Sequence, residues 1–143
     1  NGRTPMQWDD TKYAGFSAED SAEPWIAVNG NHTRINAAEQ LKDEDSIFHY
    51  YQKLIAMRKE LDVIAYGDIE PLAVKDPCVF AYRRTYEGHE LIVAANFYGR
   101  DCTWKGAPDV TGYEHVIGNY KDAVSAENGV MNLRPYEATV WYK

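Results

Sequence analysis

Val79-Phe80-Ala81-Tyr82-Arg83-Arg84-Thr85-Tyr86-Glu87-Gly88-His89-Glu90-Leu91-Ile92-Val93-Ala94-Ala95-Asn96 is the stretch that decides the fold class of this chain. Two runs rich in aromatic and β-branched residues, 79–86 and 90–96, flank the pair Glu87-Gly88. Runs of that composition favour strands, and a glycine at the turn supplies the positive φ that a tight hairpin needs. An antiparallel hairpin is therefore expected here.

Working outward, residues 68–74 form a further strand candidate. Pro71 lacks an N–H for the ladder, so this strand belongs at an edge or a bulge. Shorter candidates follow at 101–105, 113–117, 130–133 and 137–142, the last two separated by a turn at Arg134-Pro135. Short strands at roughly regular spacing with turn residues between them predict a small antiparallel β-sandwich.

The period changes before Gly67. Ile47, Tyr50, Tyr51, Leu54, Met57 and Leu61 recur at spacings of three and four, which predicts a helix over 46–61. Asp45 or Ser46 can cap it, and Arg58 and Lys59 in its last turn suit the helix dipole. Such a stripe reads as core packing, and the lone His49 reads as a satisfied boundary residue. Asn36 and Glu39 have the spacing of a capping box, so a short helical turn is expected to about Lys42. Residues 1–35 are punctuated by Gly, Pro, Asn and Asp and read as irregular. The aromatics Trp8, Tyr13, Phe16 and Trp25 are expected to anchor this loop. Composition thus divides the chain near residue 66, with loop and helix before it and β structure after it.

Within that loop, Arg3-Thr4-Pro5-Met6-Gln7-Trp8-Asp9-Asp10 gathers a guanidinium, an amide, an indole and two carboxylates. Arginine forks onto oxygen pairs, glutamine both donates and accepts, and tryptophan offers an apolar face. This is the chemistry of a loop that holds a hydroxylated ligand. Only two residues precede the motif, which suggests that the chain begins inside a larger protein.

The formal net charge of −7 over 143 residues argues against nucleic acid as a partner, because phosphate binding needs a basic patch. No apolar segment has the length of a membrane span, and no leader pattern opens the sequence. The two cysteines, Cys78 and Cys102, match no metal spacing. They read as free thiols near a core, and hence as a sign of a reducing, cytoplasmic compartment. No cofactor and no metal site is expected.

Arg3-Thr4-Pro5-Met6-Gln7-Trp8 with Asp9, then Ala14-Gly15-Phe16, resembles a stretch of the α-amylase superfamily, glycoside hydrolase family 13. The likeness is to the branch of oligo-1,6-glucosidase, α-glucosidase, dextran glucosidase, trehalose-6-phosphate hydrolase and sucrose isomerase. Pro24-Trp25-Ile26, Val28-Asn29, Ile35-Asn36, Asp45-Ser46-Ile47-Phe48, Tyr50-Tyr51, Leu54-Ile55 and Met57-Arg58-Lys59 continue it in order. Leu133 and Pro135-Tyr136-Glu137-Ala138 extend it to the last strands.

The resemblance implies a fold class that is mainly β. An antiparallel β-sandwich of the α-amylase C-terminal type would occupy residues 67–143. Residues 1–66 would be the last loop and the last helix of an incomplete (β/α)8 barrel. It also implies a retaining mechanism, which needs two carboxyl groups about 5 Å apart. The Asp nucleophile, the Glu acid/base and the second Asp of the family would all lie upstream of Asn1. None of the 22 Asp and Glu residues is therefore expected to be catalytic, the adjacent Asp9 and Asp10 included.

One substrate-binding residue carries over. Arg3 resembles the arginine that helps to bind the terminal glucose, paired with an acidic residue from early in the barrel. Gln7 and Trp8 are expected to shape the loop rather than to touch sugar. The expected partners are the missing barrel and, in the parent enzyme, an oligosaccharide. Without the barrel, one apolar face of helix 46–61 would stay exposed, and the chain would self-associate through it. Two other classes compete with the inert enzyme fragment. One is a carbohydrate-binding sandwich with Trp104, Trp141 and the tyrosines as a stacking platform; the other is a purely structural or interaction domain.

Overall fold

A computed structural model of the chain describes residues 2–143. They fall into two compact units, Asn1–Ala56 and Met57–Lys143. After a single 3-10 turn at Gly30–Thr33 the elements are α1 (Ala37–Gln40), α2 (Ile47–Glu60) and α3 (Asp62–Tyr66). The strands are β1 (Asp68–Pro71), β2 (Val79–Tyr86), β3 (His89–Asn96), β4 (Cys102–Lys105), β5 (Glu114–Gly118), β6 (Ala126–Glu127), β7 (Val130–Leu133) and β8 (Ala138–Tyr142).

In the first unit, side-chain oxygens start both helices. The Oδ1 of Asn36 accepts from the Glu39 N–H at 2.9 Å, and the side-chain amide of Asn36 donates to the His32 carbonyl at 2.8 Å. The Ser46 hydroxyl oxygen accepts from the His49 N–H at 3.3 Å and donates to the Gln40 carbonyl at 2.7 Å. Each oxygen satisfies an N–H that a helix start leaves unpaired. His49 is held by its own turn, its Nδ1 lying 2.8 Å from the Asp43 carbonyl.

The stripe on α2 does not pack as the sequence predicts. No residue of α2 is buried, and Ile47, Phe48, Tyr51, Leu54 and Ile55 are all exposed. Of the loop aromatics only Tyr13 is buried, whereas Trp8, Phe16 and Trp25 face outward. The apolar periodicity is real, but the stripe is left exposed.

The second unit is β-rich and antiparallel throughout. A five-stranded sheet runs in the order β1-β2-β3-β8-β5, and a three-stranded sheet runs β4-β7-β6. The hairpin β2–β3 forms at the expected place. Glu87 and Gly88 both take positive φ, 48° and 86°, and Tyr86 pairs with His89 across the turn. β1 is an edge strand and ends on Pro71, where a missing N–H costs no ladder bond.

The pairs Val79–Asn96, Ala81–Ala94 and Arg83–Ile92 lie on one face of the hairpin. Val79, Ala81 and Ala94 from this sheet share a core with Cys102, Trp104, Met131 and Leu133 from the other. A second cluster gathers Ile92, Val110 and Trp141. Arg84 points to the opposite face and fastens α3 to it: its Nε donates to the Val63 carbonyl at 3.0 Å and its guanidinium to the Gly67 carbonyl at 2.6 Å. A cation at the last carbonyls of a helix suits the helix dipole. Neither α3 nor β6 is anticipated from the sequence, although Asn128-Gly129 between β6 and β7 is a strong hairpin signal with both φ values positive, 52° and 74°.

The two cysteines are not free. Cys78 and Cys102 form a disulfide with their Cα atoms 6.0 Å apart, near the usual spacing for such a bond. A separation of 24 residues carries no distance information. The start of β2 and the start of β4 meet only because the two sheets share a core. The case for a cytoplasmic compartment loses the support that free thiols supplied.

Candidate functional site

The motif Arg3–Trp8 folds as a bracket around the start of α1. The Gln7 and Trp8 carbonyls accept from the Ala37 and Ala38 N–H groups, each at 2.9 Å. The Gln7 side-chain amide donates to Asn31 Oδ1 at 2.9 Å and to the Ile35 carbonyl at 2.5 Å. Gln7 is thereby committed to structure, as the sequence suggests. No sequence signal marks Asn31 or Ile35 as its partners, because they come from 24 and 28 residues away.

The next segment is a closed turn. Trp8 N–H and Asp9 N–H both donate to the Ala14 carbonyl, at 2.8 and 3.3 Å. The Oδ1 of Asp9 accepts from the Thr11 N–H at 3.0 Å and the Thr11 hydroxyl at 2.5 Å. Those two bonds stabilise the carboxylate and hold the Asp9 pKa below its ordinary value. Gly15 takes φ +63°, and a Cβ there would stand 2.6 Å from the Asp9 carboxylate. Asp9 is thus a turn-forming carboxylate that the loop itself occupies.

Arg3 lies exposed in the opening turn. The first unit also contains an apolar hollow of about 630 Å³. Pro5, Met6, Ile35, Ile47, Tyr51 and Ile55 supply its hydrocarbon wall, with Gln7, Gln40 and Gln52 among its polar atoms. Ile47 on this wall is 77% exposed. The hollow has the chemistry of a packing surface, since hydrocarbon dominates it and Tyr51 is the one titratable side chain among its lining residues. Among the described residues no three His, Cys, Asp or Glu side chains converge as a metal site would require.

In the second unit, the tryptophans that could have stacked on a sugar are core residues. Trp104 is 2% exposed and Trp141 is 8% exposed. The stacking platform is therefore ruled out for this pair. The Pro135–Ala138 motif is a structural knot. Buried Glu137 accepts through Oε2 from the Arg134 N–H at 2.8 Å and from Arg134 Nε at 3.0 Å, and through Oε1 from the guanidinium at 2.5 Å. The same guanidinium reaches Asp122 at 2.8 Å and lies 4.0 Å over the Tyr120 ring. Glu137 and then Asp122 raise the Arg134 pKa further, and the Arg134 guanidinium in turn lowers that of Asp122.

Asn96 ties the end of β3 to two loops. Its side-chain amide donates to the Arg100 and Arg134 carbonyls at 2.7 and 2.8 Å, and its Oδ1 accepts from the Tyr98 N–H at 2.8 Å. Nothing in the sequence singles this residue out, because its partners depend on how β7 lies against β3.

The model of the alpha-amylase catalytic domain matches residues 1–67. Across 99% of its length the chain is 43% identical to an oligo-1,6-glucosidase of Halalkalibacterium halodurans, and 39% identical to a trehalose-6-phosphate hydrolase of Escherichia coli. In both cases it spans 25% of that protein. The crystal structure of Bacillus licheniformis trehalose-6-phosphate hydrolase superposes with a TM-score of 0.88 at 37% identity, covering 99% of this chain and 26% of that one. The chain therefore spans about a quarter of the length of the curated relatives it matches.

Proposed function

Because this chain belongs to the alpha-amylase family of glycoside hydrolases, we propose that it is the C-terminal part of a retaining α-glucosidase acting on small oligosaccharides. Residues 1–66 are its last barrel loop and helix, and residues 67–143 its C-terminal β-sandwich. The chain carries no catalytic carboxylate of its own. Its role is to complete and stabilise the barrel.

One observation carries this reading. The helix α2 has an apolar stripe, yet none of its residues is buried. A stripe of Ile, Phe, Tyr and Leu left in water forgoes roughly 1.5–3 kcal/mol for each large side chain that a partner could cover. The matched relatives are about four times longer, which leaves room for such a partner, and in this reading the barrel is that partner. Arg3 stands beside this surface in sequence. In the complete enzyme its fork grips a carboxylate from the barrel and a hydroxyl of the terminal glucose.

A chimera tests the proposal. This chain replaces the matching quarter of the H. halodurans oligo-1,6-glucosidase, and hydrolysis of p-nitrophenyl α-glucoside is measured. The chimera should be active, and Arg3→Ala within it should lower kcat/KM at least tenfold, about 1.4 kcal/mol of transition-state binding. The isolated chain should show no hydrolysis. Turnover by the isolated chain, or an Arg3→Ala chimera with unchanged kinetics, would count against the assignment.

A further inference from the structure

We propose that Cys78 and Cys102 form a reversible redox staple, opened and closed by small-molecule disulfides, that sets the stability of the β-rich unit. Three observations on the second unit support this.

The first is position. Cys78 immediately precedes β2 of the five-stranded sheet, whereas Cys102 opens β4 of the three-stranded sheet. The bond therefore links the two sheets across their shared core rather than two neighbours on one sheet. The second is access. Cys102 is buried among Val79, Trp104 and Leu133, but Cys78 is only partly buried. Cys78 also lines an open hollow of about 440 Å³ walled by Pro71, Val74, Phe80 and Phe97. Cys78 is therefore the side of the bond nearer to a thiol reagent. The third is that the opened state is provided for. Cys102 Sγ lies 3.2 Å from Asn96 Oδ1, so a reduced thiol there has an acceptor for its proton. Cys78 is held by Asp76, whose Oδ1 accepts from the Cys78 and Val79 N–H groups, each at 2.9 Å. None of these contacts needs the S–S bond to form.

The chemistry balances as a thiol exchange. The Cys78 thiolate attacks one sulfur of a small disulfide RSSR, forming a mixed disulfide and releasing RS⁻. Cys102 then attacks Cys78 Sγ and releases the second RS⁻. The two protons of the protein thiols end on two RSH molecules. The two cysteines are oxidised by two electrons, and RSSR is reduced by two.

The test equilibrates the 143-residue chain in buffers of reduced or oxidised glutathione. Thiols are then counted in denaturant, the mass is measured, and the melting temperature is recorded. Two thiols are expected in the reduced buffer. In the oxidised buffer none should remain, the monomer mass should fall by two hydrogens, and the melting temperature should rise by roughly 12–24 °C. Cys78→Ser should abolish that rise while melting close to the reduced wild type. Cys102→Ala gives a second check, since it too should remove the redox dependence. Two persistent thiols in oxidised glutathione, a disulfide between chains, or equal melting in both buffers would overturn the proposal.

Discussion

Asn96→Ala should unfold the β-rich unit at a markedly lower temperature. Asn96 is 2% exposed. The substitution removes both donors that serve the Arg100 and Arg134 carbonyls and the acceptor that serves the Tyr98 N–H. Each such bond contributes about 1 kcal/mol net, so the loss is about 3 kcal/mol. The unit Met57–Lys143 has 87 residues (143 − 57 + 1), a size at which 1 kcal/mol moves the melting temperature by roughly 4–8 °C. The expected fall is therefore roughly 12–24 °C by circular dichroism or calorimetry. Asn96→Asp separates bonding from volume. It keeps the acceptor but turns the one nitrogen that carries both donors into an oxygen facing two carbonyls, so it should also be destabilised at neutral pH. A protonated carboxyl recovers one donor, so the deficit should shrink as the pH falls toward 4, near the ordinary Asp range. Thr103→Ala is the control, because its 2.8 Å bond to Asn132 is exposed. It should shift melting by no more than about 4 °C, equivalent to about 0.5 kcal/mol. An Asn96→Ala variant that melts within the range of that control would refute the reasoning.

Three other measurements follow from the structure. Burial, with a hydrogen bond to Glu90, pushes the Tyr113 hydroxyl up to about 12 from its usual 10.0. The folded state prefers the neutral phenol, so this contribution is whole below pH 10 and lost as the pH rises toward 12. The stability advantage of wild type over Tyr113→Phe should shrink across that window, and an advantage that is constant with pH would be the contrary result. Burial lowers the His115 pKa from 6.5, against opposing contributions from the Ile117 backbone and Glu137, while its ring lies 4.9 Å from Trp141. The neutral ring is favoured, so its stabilisation is present above 6.5 and lost as the pH falls through the lower folded value. An NMR titration should place its midpoint below 6.5, and a midpoint above it would contradict the burial argument. Finally, the isolated chain should self-associate through the exposed stripe of α2. Light scattering should find Ile47→Lys/Ile55→Lys monomeric at concentrations where the parent chain is not, and a parent chain that is monodisperse and monomeric would remove the idea.

Local chemistry accounts for what the sequence determined by itself. The β2–β3 hairpin is legible because strand composition and the Glu87-Gly88 turn act within a few residues. The start of α1 at Asn36, the extent of α2 to within one residue at each end, and the edge position of Pro71 are legible for the same reason. The Arg3–Trp8 motif identified the family because its residue types and spacing are specific. Tertiary structure decided the rest. Asn31 and Ile35, the partners that hold Gln7, come back to it from far along the chain. Trp104 and Trp141 could have been platform or core, and only the pairing of two sheets placed them inside. Cys78 and Cys102 read as separate thiols until that same pairing brought their Cα atoms to 6.0 Å. The stripe on α2 is the converse case. Its periodicity declares that it should be buried, but burial requires a second surface. Sequence periodicity encodes the demand for a partner, and only packing shows whether the chain meets it.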